Sequence, residues 1–75
     1  MTAYHISLKQ DTDPETCLGY RSQIRTAKIL AKEYIKDHAG INESWSVTEN
    51  GISSVQFFIG ETLWCINFEE IDIQF

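Results

Sequence analysis

Ser54-Val55-Gln56-Phe57-Phe58-Ile59-Gly60-Glu61-Thr62-Leu63-Trp64-Cys65-Ile66 is the stretch on which the fold turns. Glycine followed by one polar residue, between two apolar runs, suits a two-residue type II′ turn. That turn sets the register: Ile59 opposite Thr62, Phe57 opposite Trp64, Val55 opposite Ile66. All six fall on one face, so turn chemistry and hydrophobic pattern agree. Phe58 and Leu63 pair on the other face.

Upstream, Trp45 and Val47 alternate with Ser44, Ser46 and Thr48, and Asn50-Gly51 follows. Asn-Gly by itself suggests a two-residue type I′ turn. Such a loop would set Val47 opposite Ser54 and Trp45 opposite Gln56. Burying Trp45 and Val47 beside Val55 and Phe57 outweighs turn preference. The expectation is a three- or five-residue loop with Gly51 left-handed.

Further toward the N-terminus, one helix is expected over Gln23 to His38. Ser22 is its candidate N-cap, and Gly40 stands where a C′ glycine belongs. Ile24, Ala27, Leu30, Ala31, Tyr34, Ile35 and His38 fall within an arc of about 140°, a core-facing stripe that leaves Ile29 outside. Ala3 to Lys9 alternates, with Tyr4, Ile6 and Leu8 on one side, and reads as a half-buried strand. Gln10 to Tyr20 is polar. Asp13-Pro14-Glu15 marks a short helical turn ended by Gly19. Glu69 to Phe75 alternates again and reads as a short fifth strand or a mobile acidic segment.

These pieces assemble into a single α+β domain over 1–75. Its two layers are one long helix and a mainly antiparallel sheet, in the order β-α-β-β-β with the C-terminal strand left open. Seventy-five residues with 43% hydrophobic content suffice for a core but leave no room for separate cofactor and substrate domains. No apolar run reaches the length of a membrane span, and the N-terminus carries no signal-peptide pattern, so a cytoplasmic protein is expected. Cys17 and Cys65, the only cysteines, are then expected reduced and unlinked.

Charge is the most informative feature. Six Lys and Arg stand against eleven Asp and Glu, a net charge of −5. Arg21, Arg25, Lys28, Lys32 and Lys36 span about 40° to 120° of the helical wheel, beside the core face. Such a stripe is either a solvated helix flank or a phosphate-tracking patch. Outside Arg21–His38 there are nine acids and a single base, Lys9. Glu43, Glu49, Glu61, Glu69, Glu70 and Asp72 make up the candidate acidic surface for a basic partner. Phe58, Leu63 and Cys65 form an apolar spot on the open sheet face. The C-terminal segment or a second subunit is expected to cover it, which allows a homodimer.

Catalytic and metal signatures are missing from the pattern. His5 and His38 share no ligand spacing with the cysteines, and no nucleophile elbow, P-loop or zinc-protease motif occurs. No cofactor, no metal and no enzymatic activity are expected.

One resemblance adds to this reading. Ala3-Tyr4-x-Ile6 on a short strand, Ala27-Lys28-x-x-Ala31 on a helix, and a meander carrying Trp45 and Asn50-Gly51 resemble some very small phage-encoded anti-CRISPR proteins of β-α-β-β-β layout. The resemblance implies a non-enzymatic inhibitor that binds a host nucleic-acid-handling protein complex. The alternative is a small nucleic-acid-binding domain that uses the basic helix stripe.

Overall fold

A computed structural model describes residues 2–10, 14–48 and 51–72. Its elements are β1 (Thr2–Gln10), β2 (Thr16–Arg21), α1 (Ile24–Asp37), β3 (Ile41–Thr48), β4 (Gly51–Ile59) and β5 (Thr62–Asp72). The strands form one antiparallel sheet in the order β2-β1-β5-β4-β3. This corrects the expected two-layer α+β domain of order β-α-β-β-β with a long helix. The order is β-β-α-β-β-β, the five-stranded sheet makes up most of the molecule, and the helix has only 14 residues.

The additional strand is β2, where a helical turn was expected. Thr16-Cys17-Leu18-Gly19-Tyr20-Arg21 does not alternate, because it carries a bulge. Ile6 pairs with Gly19 and Ser7 with Cys17, which leaves Leu18 as an extra residue packed against the core. An edge strand supported by one neighbour needs little apolar pattern of its own. Asp13 lies outside the described residues. Gly19 takes φ +151°, a value that L side chains rarely adopt, so it shapes the strand rather than ending a helix.

β5 is the centre of the sheet. The whole of β1 pairs with it, from Thr2↔Asp72 to Gln10↔Trp64. The first half of β5 also pairs with β4 in the predicted register, with Phe57 opposite Trp64 and Val55 opposite Ile66. Gly60 takes φ +63°, as the first position of a type II′ turn requires. Glu69 to Asp72 is therefore the far end of the central strand. Residues 73–75 lie outside the described residues.

On the β3–β4 side, the turn preference and the placing of Trp45 are both met, but the burial of Val47 and the longer loop are not. Trp45 does sit opposite Val55, yet Thr48 pairs with Gly51 across only two residues. A one-residue shift between Ser46 and Val47 reconciles them, with Ser53 the extra residue. The expected longer loop is thus replaced by a bulge, and Gly51 is the first residue of β4. Glu49 and Asn50 lie outside the described residues. Val47 does not join the core: it is 72% exposed near the end of an edge strand, away from the helix.

The core is Ile6, Leu8, Ala27, Ala31, Ile35, Val55, Phe57, Ile66 and Phe68, with Phe57 the largest fully buried side chain. Two alanines one turn apart let the helix lie close to the sheet. Ile24, Leu30 and Tyr34 flank them half-buried, and Ile29 is half-exposed as expected. The N-cap is Gln23 rather than Ser22, with no side-chain cap.

The helix ends in a Schellman arrangement. Gly40 N–H donates to the Ile35 carbonyl at 2.7 Å, and Ala39 N–H to that of Lys36 at 3.2 Å. Its left-handed residue is Ala39, at φ +56°, not glycine. Gly40 is required for space instead. A Cβ there would lie 2.6 Å from Ile35 Cγ2 and 2.9 Å from Phe57 Cδ2. Ala39→Gly should therefore stabilise the protein by about 0.5–1 kcal/mol by relieving left-handed strain. Gly40→Ala should destabilise it by about 1–3 kcal/mol through overpacking. Thermal melts of the two variants should move in opposite directions; two downward shifts would contradict this account of the helix end.

Candidate functional site

Four of the five stripe cations do share a helix flank. Arg25, Lys28, Lys32 and Lys36 follow at intervals of three, four and four residues, so they line one side of α1 over about 16 Å. Arg21 is not among them. It ends β2, at the opposite sheet edge from β3, and its guanidinium donates to the Tyr20 carbonyl at 2.7 Å.

The flank leans on Trp45 of β3. Lys28 Nζ lies 5.4 Å and Lys32 Nζ 6.0 Å from the centre of the indole. The ring stacks at 6.3 Å on Phe68, and its N–H donates to Glu43 at 3.1 Å. Trp45 is thus a half-buried platform that holds two ammonium groups in place. Each contact is worth only about 0.5–1 kcal/mol at a partly exposed site. Their main effect is to spare the lysines conformational freedom that a ligand would otherwise have to restrict. Trp45 was legible as a core residue; its part beneath the lysines joins residues 13 and 17 positions apart, which no local spacing reveals.

The acidic candidates do not form one surface. Glu69, Glu70 and Asp72 lie at one end of β5, Glu61 in the turn at the other. At about 3.3 Å per residue, these groups are some 30 Å apart along the strand. Neighbours on β5 also point to opposite faces, which separates Glu69 from Glu70. Glu69 lies 3.7 Å from Nδ1 of His5, whose ring stacks on Tyr20 at 4.9 Å. Glu43 is taken up by Trp45, and Glu49 lies outside the described residues.

His38 is exposed rather than part of the core-facing arc. Its ring stacks on Tyr34 at 4.0 Å, and its Nδ1 donates to the Tyr34 carbonyl at 2.9 Å, closing the helix C-terminus. Cys17 and Cys65 are free. Cys17 pairs with Ser7 and Cys65 with Lys9, on opposite sides of β1, a separation too wide for a disulfide. Burial pushes the Cys65 thiol above its ordinary range, with Lys9 opposing and Glu15 adding to the shift. That makes it a poor nucleophile at neutral pH.

A shallow groove of about 220 Å³ opens beside it, between Lys9, Gln10, Gln56, Leu63, Trp64 and Cys65. Among the described residues, no cluster of His, Cys, Asp and Glu could hold a metal ion. No helix among them is long and apolar enough to cross a membrane. Comparison with protein-family models, with curated proteins and with solved structures yields no match for this chain.

Proposed function

We propose that this chain is a non-enzymatic binding protein of the cytoplasm that engages the phosphate backbone of a nucleic acid, free or held in a nucleoprotein complex. The observation that carries the reading is the Arg25–Lys28–Lys32–Lys36 flank braced on Trp45. The spacing of its cations, about 5–6 Å along the helix, suits successive phosphates. Trp45 already has Phe68 on its ring and two lysines over it, so base stacking is not part of the reading. Recognition is then of charge and spacing, with little sequence preference. A net charge of −5 opposes this at long range, but at physiological salt the Debye length is about 8 Å. Contacts at the flank are made inside that distance.

The reading predicts a salt-dependent affinity. Three or four phosphate contacts give a slope of about −2 to −3 in log K against log salt for a single strand. Fluorescence anisotropy of a labelled oligonucleotide across a salt series measures it. A flat profile, or no binding at low salt, would count against the reading.

A second reading keeps the inhibitor-type protein, which meets a basic surface on a host complex through its acids. It is supported by Glu70 and Asp72, which share one face at one end of β5, with Glu69 on the other face. The split from Glu61 reduces that surface to one small cluster. Reversing those three to lysine would weaken partner capture under this reading, and would strengthen nucleic-acid binding under the first.

A further inference from the structure

The face of the sheet opposite α1 carries a row of apolar side chains that the described chain leaves uncovered. Leu63 pairs with Phe58, and Phe58 with Ile41, so the three lie side by side across β5, β4 and β3. Ile41 is 55% and Leu63 39% exposed, and Phe58 is half-buried. Of the C-terminal segment expected to cover it, Glu69 to Asp72 continue β5, and residues 73–75 lie outside the described residues.

We infer that this row is the centre of a symmetric homodimer interface. Charge is placed about it in a self-complementary way. Lys9, the only base outside Arg21–Lys36, pairs with Cys65, two residues beyond Leu63 along β5. Glu61 stands two residues before Leu63, in the turn. The row is thus flanked at equal steps by a cation on one side and an anion on the other. A two-fold axis running across the strands along the row lays Leu63, Phe58 and Ile41 of one protomer against those of its partner. The same operation brings Lys9 of each protomer toward the partner's Glu61, giving two ion pairs from one self-complementary patch. The groove beside Lys9, Gln56 and Leu63 gives the partner's side chains room at this point.

Sheet edges are unsuited to the same task. β3 is kinked at Asn42, which takes φ +58°, and its ladder with β4 shifts again where Ser53 of β4 is the extra residue, while β2 is short and bulged at Leu18. A face-to-face pairing also leaves the α1 flank open on both protomers, so the inference stands apart from the proposed function.

Sedimentation equilibrium of the full chain over a range of micromolar concentrations tests it. The expected result is a monomer–dimer equilibrium that Leu63→Lys shifts to monomer, with a melting temperature equal to that of the wild type at concentrations where the wild type is monomeric. Lys9→Glu and Glu61→Lys should each weaken the dimer by about tenfold, and the two combined should restore it. A monomer at every concentration would overturn the inference and leave the row to a different protein. So would a dimer that survives Leu63→Lys, or a charge swap that fails to restore association.

Discussion

Phe57→Ala is expected to unfold the protein. Phe57 is the largest fully buried side chain, and it joins the helix to the sheet. It packs in the cluster with Ala31 and Ile35, meets the Tyr34 ring edge-on at 6.5 Å, and borders Gly40. Truncating a buried phenylalanine costs about 3–5 kcal/mol through lost transfer free energy and the cavity left behind. A 75-residue domain has only about 5–10 kcal/mol to lose. The variant should show no cooperative thermal transition above room temperature, or one lowered by more than 15 °C. Trp64, its cross-strand neighbour, is a lesser anchor. It is half-buried, and its indole N–H is buried without an acceptor, so Trp64→Phe removes an uncompensated donor and should be mild. A Phe57→Ala protein that melts near the wild-type midpoint would contradict this description of the core.

The same residues explain what could be read in advance. The β4–β5 hairpin was legible because Gly60 and the apolar alternation demand one register. The helix was legible from the spacing of Ala27, Ala31 and Ile35, although its cap residues shifted. β2 was hidden because it owes its existence to backbone hydrogen bonds with β1, and pairing of that kind leaves almost no trace in side-chain pattern. 

Backbone pairing is largely blind to side-chain identity, so a bulged edge strand shows no alternation. The β3–β4 loop length was misjudged for a related reason. Alternation on β3 and turn preference at Asn50-Gly51 conflict only if the ladder is regular, and one extra residue at Ser53 removes the conflict.

Reversing Arg25, Lys28 and Lys32 to glutamate is expected to abolish nucleic-acid binding. Three cations become three anions on one helix flank, so attraction is replaced by repulsion at every contact. Loss of three phosphate contacts removes most of the salt slope and lowers affinity by at least about a hundredfold at low salt. Stability should fall by only about 1–2 kcal/mol, through lost lysine contacts with Trp45. Arg25→Ala and Lys36→Ala, which leave that platform intact, should each reduce the slope by about 0.7 for a single strand. Retained binding in the triple variant, with its circular dichroism spectrum unchanged, would remove the flank from the account.

The candidate site was partly legible. Four stripe cations could be placed from helical spacing alone. Arg21 could not, because the true helix start at Ile24 lies beyond it. The acids suggested one surface only because their spacing in sequence says nothing of strand direction. Once Glu61 and Asp72 are set at opposite ends of β5, that surface divides.

The most direct measurement is a titration of isotope-labelled protein with a short single-stranded oligonucleotide, followed by NMR at low salt. The account predicts shifts confined to the side chains and amides of Arg25, Lys28, Lys32 and Lys36 and to the Trp45 indole N–H, fading as salt is raised. Shifts centred instead on Glu69, Glu70 and Asp72, or no shifts at any oligonucleotide concentration, would contradict it.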